Sequence, residues 1–359
     1  MEFTGISVVT GAAGFVGRHL VTRLLEGGVR VRAVAPPWED PRALAPLGVE
    51  VVRADLTVPD TLAALFDGDV DRVFHLGAIC NFSTPYRILH GVNVDGVGRI
   101  TALARQAGVR AFVHMSSTSV YGAYQGIPFV EEAPRAPQDD YGRSKRDGED
   151  VVWQAIRAGL RALVLRPCTV YGPGCTDGAG KVFSRPTSLG AIPGNGRQRL
   201  SNVRVEDVAA AAFHLSAQDD AVGQAFNLAD DSHPMIAEAL ELAAEAFAMP
   251  APRRHLPLAV VAVAARIQGL AARVARRIPD LEADAVRYLR ADYLVDNRKL
   301  KGAGYRLLYP DFAESMRDMG RRQRDGAAHD RSRGGVDPPL LRRERPIPVA
   351  KTDSPGREV

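Results

Sequence analysis

The sequence predicts an α/β fold with a doubly wound parallel sheet and a smaller carboxyl-terminal lobe, on the basis of three features. Short β-branched runs alternate with helical stretches through the first two-thirds of the 359 residues, a pattern typical of parallel strands joined by crossover helices. Glycine or polar residues follow several of these runs, where such a sheet binds its ligands. A hydrophobic content of 46% is enough to bury a large core.

The elements follow in chain order. Strands are predicted at 6–10, 30–35, 49–53, 72–76, 111–115 and 161–166, and helices between them at about 15–27, 59–66, 86–107 and 141–158. The pattern then becomes irregular up to residue 200, with many glycines and prolines. A helix at 206–217, a strand at 224–228 and helices at 235–248 and 258–277 are predicted after it.

Three glycines, Gly11, Gly14 and Gly17, lie in the string TGAAGFVG between the first strand and the first helix. A glycine-rich turn of this kind suits a dinucleotide pyrophosphate, because its backbone can approach the phosphates closely. Gly11 and Gly14 allow that approach, and Gly17 lets the helix pack against the strand. The spacing alone is a weak signal and needs support from the rest of the chain.

Tyr141 and Lys145 lie four residues apart in the string YGRSK, on one face of a predicted helix. An ammonium one turn away can lower the pKa of a phenol. Hydride transfer at a carbinol carbon leaves a proton to be moved, and a phenol of pKa about 10 moves it poorly near neutral pH. The two strings together predict nicotinamide-dependent redox chemistry.

The domain organisation follows from these elements. Residues 1–172 are expected to form a dinucleotide-binding domain, to which residues 201–228 return, and residues 173–200 and 229–320 are expected to form a substrate-binding lobe. The segment 321–359 is dense in charge and almost free of aromatic residues, so we expect a disordered tail.

Further motifs occur in a fixed order along residues 1–315. They are Asp55-Leu56, HLGA at 75–78, SSTSVYG at 116–122, RPCTVYGPG at 166–174, NVRVEDVA at 202–209 and FNLA at 226–229. With the two strings above, this set resembles the extended short-chain dehydrogenase/reductase family, also called the NAD-dependent epimerase/dehydratase family. The resemblance implies a Rossmann-type fold and NAD or NADP as the cofactor.

The resemblance also implies a role for individual residues. The implied cofactor-binding residues are Gly11, Gly14, Phe15, Val16, Gly17, Asp55, Leu56, Ala78, Tyr141, Lys145 and Pro167, and the implied catalytic residues are Ser117, Tyr141 and Lys145. Asp55 would accept a hydrogen bond from the adenine amino group, with Leu56 packing on the ring. Ser117 would hydrogen-bond the reacting oxygen, Tyr141 would exchange the proton, and Lys145 would bind the nicotinamide ribose.

Several residues in these motifs have a structural interpretation beside the functional one. Asp55 could cap a helix, and Ser116, Thr118 and Ser119 compete with Ser117. His75 is expected to be a structural histidine inside a strand, Asp207 fits an acid at a helix amino terminus, and Arg166 is assigned no role.

The residues after the second predicted strand leave the choice between NAD and NADP open. A carboxylate there would bind the ribose 2′-hydroxyl, and an arginine would accept a 2′-phosphate. The chain has VAPPW at 34–38, which supplies neither.

Departures from the family's motifs favour one type of reaction. Thr118-Ser119 replaces the Asp-Glu pair of the dehydratases. Thr169 and Leu200 replace an asparagine and an arginine through which sugar-nucleotide epimerases contact the nucleotide diphosphate, and Asn202 replaces an aromatic residue, although Arg199 or Arg204 could compensate. The carboxyl-terminal pattern is similar to the reductase and hydroxysteroid-dehydrogenase-like members. We therefore favour an oxidoreductase that interconverts a secondary alcohol and a ketone on a non-nucleotide small molecule. A nucleotide-sugar 4-epimerase with tightly held NAD is the alternative, and a catalytically silent cofactor-binding protein is a third interpretation.

The charge and hydropathy patterns exclude other classes of function. The net charge is +4, with much of the basic excess at 253–277 and near the carboxyl terminus, and no aromatic or groove-binding pattern accompanies it, so no nucleic acid is expected. No window approaches twenty uncharged apolar residues, so no membrane span is expected. The helix at 258–277 has membrane-surface association as its alternative, although packing on the core is favoured.

Cysteine use and helix pattern give the remaining predictions. Cys80, Cys168 and Cys175 are scattered, which predicts reduced, small buried residues, no metal site and a cytoplasmic protein without a signal peptide. Helices 86–107 and 141–158 resemble those that pair in dimers of this family, so a homodimer is a further expectation.

Overall fold

The computed structural model describes residues 3–122, 128–176, 180–184, 190–275, 279 and 281–332. Its strands are β1 (Ile6–Thr10), β2 (Arg30–Ala35), β3 (Glu50–Arg53), β4 (Val70–His75), β5 (Ala111–Met115), β6 (Ala162–Pro167), β7 (Thr169–Tyr171), β8 (Ile192–Pro193), β9 (Asn202–Arg204), β10 (Ala225–Leu228) and β11 (His255–Leu256). Its α-helices are α1 (Phe15–Glu26), α2 (Tyr86–His90), α3 (Gly96–Gln106), α4 (Asp140–Arg157), α5 (Lys181–Ser184), α6 (Val205–Ser216), α7 (Ile236–Ala246), α8 (Leu258–Val274), α9 (Arg298–Gly302) and α10 (Phe312–Ser332).

Seven strands form one parallel sheet in the order β10-β6-β5-β4-β1-β2-β3. The chain turns from β1 outward to β2 and β3, then crosses back to β4 and continues to the other edge. The reversal between β1 and β4 opens a crevice at the carboxyl ends of these strands. The predicted doubly wound Rossmann-type sheet is confirmed.

The central strands are buried on both faces. Adjacent residues of a strand point to opposite sides of the sheet. Val9, Phe74, Val113 and Leu165 pack in the core with α1 and α6, and Val8, Val73, Phe112 and Val164 pack in the core with α3 and α4. Burial on both faces explains why these strands read as continuous apolar runs in the sequence.

Two predicted helices differ from the structure. Residues 59–66 form two short 3₁₀ turns, Pro59–Thr61 and Ala63–Phe66, because the Thr61 hydroxyl donates to the carbonyl of Val58 at 2.8 Å and closes the chain tightly. The stretch predicted at 86–107 is helical but passes through a π-helical turn at Gly91–Asp95 between α2 and α3. Such turns are common at functional sites.

The expectation of a disordered tail from residue 321 is wrong for residues 321–332, which continue α10. Arginines that suggested disorder anchor this helix: Arg322 pairs with Asp318 at 2.9 Å, and Arg324 donates to the Ala246 carbonyl at 3.0 Å. Residues 333–359 lie outside the described residues, as do Arg276 and Arg277 of the basic stretch.

Asp207 lies in the first turn of α6, as predicted, but its carboxylate has a second use. It accepts hydrogen bonds from the Tyr305 hydroxyl and the Leu308 and Tyr309 amides at 2.7–3.0 Å. The carboxylate thereby ties the segment before α10 to the start of α6. No helix among the described residues is both long and apolar enough to cross a membrane.

Candidate functional site

The first glycine turn brings the carboxyl ends of β1 and β4 into contact. Gly11 has φ +67°, and a Cβ there would lie 2.9 Å from the Gly77 nitrogen. Only glycine avoids both the left-handed strain and the collision. The Gly14 amide donates to the Gly11 carbonyl at 3.1 Å and closes the turn.

The amino end of α1 is free of side-chain caps. Gly14 is the N-cap residue, and no acidic residue occupies the first turn. Phe15 and Val16 open the helix and are half-buried, whereas a Cβ on Gly17 would collide with the Gly11 carbonyl oxygen. Uncapped N–H groups and the positive end of the helix dipole make this turn suitable for a phosphate.

A buried polar network fixes the same edge of the sheet. The Thr10 hydroxyl accepts from the Gly77 amide at 3.0 Å and lies 2.9 Å from His75 Nδ1. Burial, and then the charge of Lys145, lower the pKa of His75 to about 3, so its ring is neutral. His75 is therefore structural, as predicted.

The other implied cofactor residues also lie at the carboxyl ends of the parallel strands. Ala78 follows β4, Pro167 ends β6, and Asp55 and Leu56 follow β3. A Cβ added at Gly77 or at Gly96 would lie 3.0 Å from a side-chain atom of Leu56. Leu56 therefore packs beside the loop that follows β4.

Asp55 takes part in a turn of its own. One carboxylate oxygen accepts from the Thr57 amide and hydroxyl, both at 2.8 Å. Asp55 is therefore not the helix cap that the sequence left open, because Val58 is the residue before the turn Pro59–Thr61. The local turn engages only one of the two oxygens by hydrogen bonds within the described residues.

Arg53 is a residue that the sequence analysis missed. It ends β3, and its guanidinium donates to the carbonyls of Pro36 and Glu39 at 2.8 and 2.5 Å, in the loop after β2. An arginine from the neighbouring strand thus occupies the place where the end of β2 offers no charged side chain. The sequence analysis considered only residues at the end of β2, and Arg53 reaches that place from β3.

Ser117, Tyr141 and Lys145 come together where β5 meets α4. Asp139 caps α4 by accepting from the Gly142 amide at 2.7 Å, and this cap starts the helix one residue before Tyr141. Both Tyr141 and Lys145 face the protein interior. The Ser117 hydroxyl donates to the Ser119 hydroxyl and accepts from the Ser119 amide, both at 3.1 Å, and it is also within hydrogen-bond reach of the Tyr141 phenol. The Lys145 ammonium donates to the Met115 carbonyl at 2.6 Å.

The expected lowering of the Tyr141 pKa by Lys145 is wrong for this structure. Burial, together with the Cys80 side chain, raises the pKa of Tyr141 well above its usual range. Burial also lowers the pKa of Lys145. The physical reason is that the site is desolvated, which disfavours the charged form of both groups.

Asn93 links the catalytic helix to the β4 loop, and the sequence analysis did not single it out. Its amide exchanges two hydrogen bonds with the backbone of Ile79, at 2.9 and 3.0 Å, and donates to the Ser144 hydroxyl at 3.0 Å. Ser144 in turn donates to the Tyr141 carbonyl. Asn93 lies in the π-helical turn, so the departure from α-helical geometry coincides with the site.

The segment after Ala78 forms a wall beside Tyr141. The Phe82 ring stacks edge-on against Tyr141 with centroids 5.3 Å apart, and it also contacts Tyr288 at 5.6 Å. Cys80 is exposed rather than buried, which corrects the prediction, because the loop carries it out of the sheet. Cys168 and Cys175 are buried as predicted.

The described residues fit a nicotinamide dinucleotide. The turn at Gly11 leaves no room for a Cβ, the amino end of α1 is uncapped, and a phenol, an amine and a hydroxyl lie farther along the same edge of the sheet. A pyrophosphate at the glycines and a reactive ring toward Tyr141 are therefore compatible with this edge.

Two curated relatives are similar over much of the sequence. A ceramide reductase of Caulobacter vibrioides is 35% identical over 57% of this chain and 59% of its own. A 3β-hydroxysteroid dehydrogenase/Δ5→4-isomerase of Mycobacterium tuberculosis is 32% identical over 64% of this chain and 66% of its own. The aligned regions thus span less than two thirds of either relative.

A solved structure and a family model give the remaining comparisons. UDP-glucose 4-epimerase of Thermus thermophilus, in complex with NAD, is 24% identical, has a TM-score of 0.71 and covers 89% of this chain and 99% of its own. This likeness supports the fold. The family model described as the NAD dependent epimerase/dehydratase family matches residues 7–229. The chain therefore belongs to the NAD-dependent epimerase/dehydratase family, enzymes of the extended short-chain dehydrogenase/reductase type.

Proposed function

We propose that this chain is an NAD(P)-dependent oxidoreductase that interconverts a secondary alcohol and a ketone on an apolar, non-nucleotide small molecule. The observation that carries the proposal is the grouping of Ser117, Tyr141 and Lys145 on the same edge of the sheet as the uncapped glycine turn. An intact group of this kind also argues against a catalytically silent protein.

The residues divide the reaction between them. A bound nicotinamide supplies or accepts the hydride. In reduction, Tyr141 donates its proton to the carbonyl oxygen as the carbon gains the hydride, and Ser117 hydrogen-bonds the same oxygen. In oxidation, Tyr141 takes the hydroxyl proton instead. Lys145 would bind the nicotinamide ribose, and the Ser117 hydrogen bond to the phenol opposes the burial that raises the pKa of Tyr141.

The implied cofactor contacts follow the edge of the sheet. Gly11, Gly14 and Gly17 would hold the pyrophosphate with the backbone of Phe15 and Val16. Asp55 and Leu56 would contact the adenine, while Ala78 and Pro167 would line the cleft. The uncapped amino end of α1 supports the first of these assignments.

The surroundings of Arg204 favour a non-nucleotide substrate. This arginine is fully buried, and its guanidinium pairs with Glu206 at 3.0 Å and Asp318 at 2.8 Å. It therefore does not compensate for the epimerase contacts absent at Thr169 and Leu200.

The wall beside Tyr141 favours an apolar substrate. Phe82 and Tyr288 place aromatic carbon next to the phenol, and such surfaces bind apolar groups in ligand clefts. The names of the two relatives, a ceramide reductase and a steroid dehydrogenase, describe lipophilic substrates. We further propose that residues 173–200 and 229–320 form the lobe that encloses the substrate.

A direct test compares turnover and cofactor retention. The purified chain should consume NADH or NADPH only when an apolar ketone is added, and the cofactor should exchange freely. Thermal stabilisation by each cofactor, a nucleotide sugar and an apolar ketone identifies the ligands that the folded state binds. Tightly held NAD, stabilisation by a nucleotide sugar and no net cofactor consumption would instead establish the 4-epimerase.

A further inference from the structure

Helix α8 is apolar on two opposite sides. Val261 and Ala265 are buried against the turn at Ala285–Leu289. On the other side, Val260, Val263, Ile267 and Leu270 are 49–63% exposed and recur at helical spacing. We call these four residues the outer face of α8. A surface helix normally presents polar residues to water, and a contiguous exposed apolar stripe is typical of an interaction site.

The sequence of α8 and of the segment before it carries basic residues and no acidic ones. Arg253, Arg254 and Arg266 are exposed, and none of them joins an ion pair among the described residues. The sequence contains no aspartate or glutamate from residue 246 to residue 279. The surface therefore combines an exposed apolar stripe with a positive rim.

We propose that the outer face of α8 docks on the surface of an anionic lipid bilayer. The four aliphatic side chains would enter the boundary between headgroups and acyl chains, and the arginines would contact lipid phosphates. A second copy of the chain is a poorer occupant, because a symmetric contact through this helix would bring basic flank against basic flank. Charge complementarity thus selects the anionic membrane.

Contacts from α8 lead to the catalytic residues. The Gln268 side chain accepts from the Leu281 amide at 2.7 Å, which ties the following segment to the helix. The next residue, Glu282, accepts from the Phe82 amide at 2.5 Å and the Ser83 hydroxyl at 3.0 Å. Phe82 packs on Tyr141. A docked α8 would hold the site close to the bilayer, and, if the proposed function is correct, an apolar ketone could enter from the lipid.

Co-sedimentation of the intact chain with vesicles tests the proposal. Vesicles of phosphatidylcholine with about 30 mol % phosphatidylglycerol should bind the chain, and pure phosphatidylcholine vesicles should bind it several-fold less. Salt at about 0.5 M should weaken the binding, because it screens the arginine contribution. Equal binding to both vesicles, or none to either, overturns the proposal.

Variants locate the binding on α8. Ile267→Glu with Leu270→Glu should lower the bound fraction about tenfold, and Ile267→Ser with Leu270→Ser should lower it less, since neither pair removes buried atoms. The matched control is Leu308→Glu, a leucine that is 58% exposed outside α8; it should bind like the parent chain. Binding lost equally in the control, or a dimer that the glutamate pair dissociates without any vesicle binding, contradicts the proposal. Cofactor binding measured without vesicles tests the proposed function separately.

Discussion

Burial governs the chemistry of single residues in this site. Tyr141 and Lys145 are both buried, so desolvation favours the neutral phenol and the neutral amine. A protonated Tyr141 is the form that donates in ketone reduction. Oxidation of the alcohol requires the phenolate, so we expect its rate to rise with pH through the alkaline range.

Tyr141→Phe should reduce turnover by about a hundredfold to ten-thousandfold, because it removes the proton donor and leaves the ring in place. The Kd for the cofactor should change little. Steady-state kinetics and cofactor titration measure the two effects. The matched control is Tyr309→Phe, which removes a hydroxyl that accepts a hydrogen bond from Arg322 at 2.6 Å and has no place in the proposed reaction. Full activity in Tyr141→Phe would contradict the assignment of Tyr141 to proton transfer.

Arg53→Ala should raise the Kd for NADP by about tenfold to a hundredfold and leave the Kd for NAD nearly unchanged, since a charged hydrogen bond contributes about 1.5–3 kcal/mol. The physical reason is that only the 2′-phosphate distinguishes the two cofactors. The control Arg42→Ala removes a neighbouring cation that is paired with Asp40 at 2.6 Å. An equal loss for both cofactors would place Arg53 elsewhere in the binding reaction.

At the scale of the elements, the glycine turn and α1 form a unit whose backbone fixes the spacing of β1 and β4. Gly11, Gly14 and Gly17 were predicted from their spacing, and the geometry explains each of them. The hydrogen bonds among Thr10, His75 and Gly77 could not be predicted from the sequence, because they join two strands that are distant in the chain.

Gly11→Ala should destabilise the chain by about 1–3 kcal/mol and weaken cofactor binding, because the methyl group meets the β4 loop. Gly28→Ala is a matched control: Gly28 has φ +71°, but a Cβ there meets nothing within 4 Å. It should therefore lose only the roughly 1 kcal/mol of left-handed strain and keep cofactor binding. Urea unfolding and cofactor titration separate the two. Equal losses in both variants would mean that the collision at Gly77 has no consequence.

Sequence patterns located the elements well where apolar residues are continuous. β4 begins two residues earlier than predicted because Asp71 and Arg72 are buried as an ion pair, with Arg72 lying 3.9 Å over the Phe3 ring. The charged Asp71 between Val70 and Arg72 hides the start of this strand in the sequence pattern. Arg166, which received no role, is likewise buried against Glu149 at 2.7 Å. Burial of the Asp71–Arg72 pair and pairing of Arg166 with Glu149 both depend on the folded structure, so the sequence pattern does not show them.

For the whole molecule, buried ionisable groups connect stability to pH. Asp230 is buried, and one of its carboxylate oxygens has no hydrogen-bond partner within the part of the chain that the structure describes. Burial raises the pKa of Asp230 from 3.8 to about 9.

The homodimer expected from helices 86–107 and 141–158 stays a prediction that sedimentation velocity would test.

The free energy of unfolding should fall as pH rises from about 4 to about 9, by at most about 1.4 kcal/mol per pH unit from Asp230. The unfolded carboxyl ionises near 3.8, whereas the folded one keeps its proton up to about 9. Asp230→Asn should flatten this slope, measured by urea unfolding at about pH 6 and about pH 8.5. The control Asp231→Asn should keep the slope, because Asp231 has a lowered pKa. An unchanged slope in Asp230→Asn would show that this carboxyl is ionised in the folded chain.

Hydride transfer from labelled cofactor tests the central claim most directly. The chain is incubated with an apolar ketone and NAD(P)H carrying deuterium at nicotinamide C4, and the alcohol product is examined by mass spectrometry. We predict one deuterium on the carbinol carbon, with the cofactor oxidised in equal amount and the yield greatly reduced in Tyr141→Phe. An alcohol formed without deuterium from either face of the labelled cofactor, or no alcohol while a nucleotide sugar is epimerised, would contradict the account.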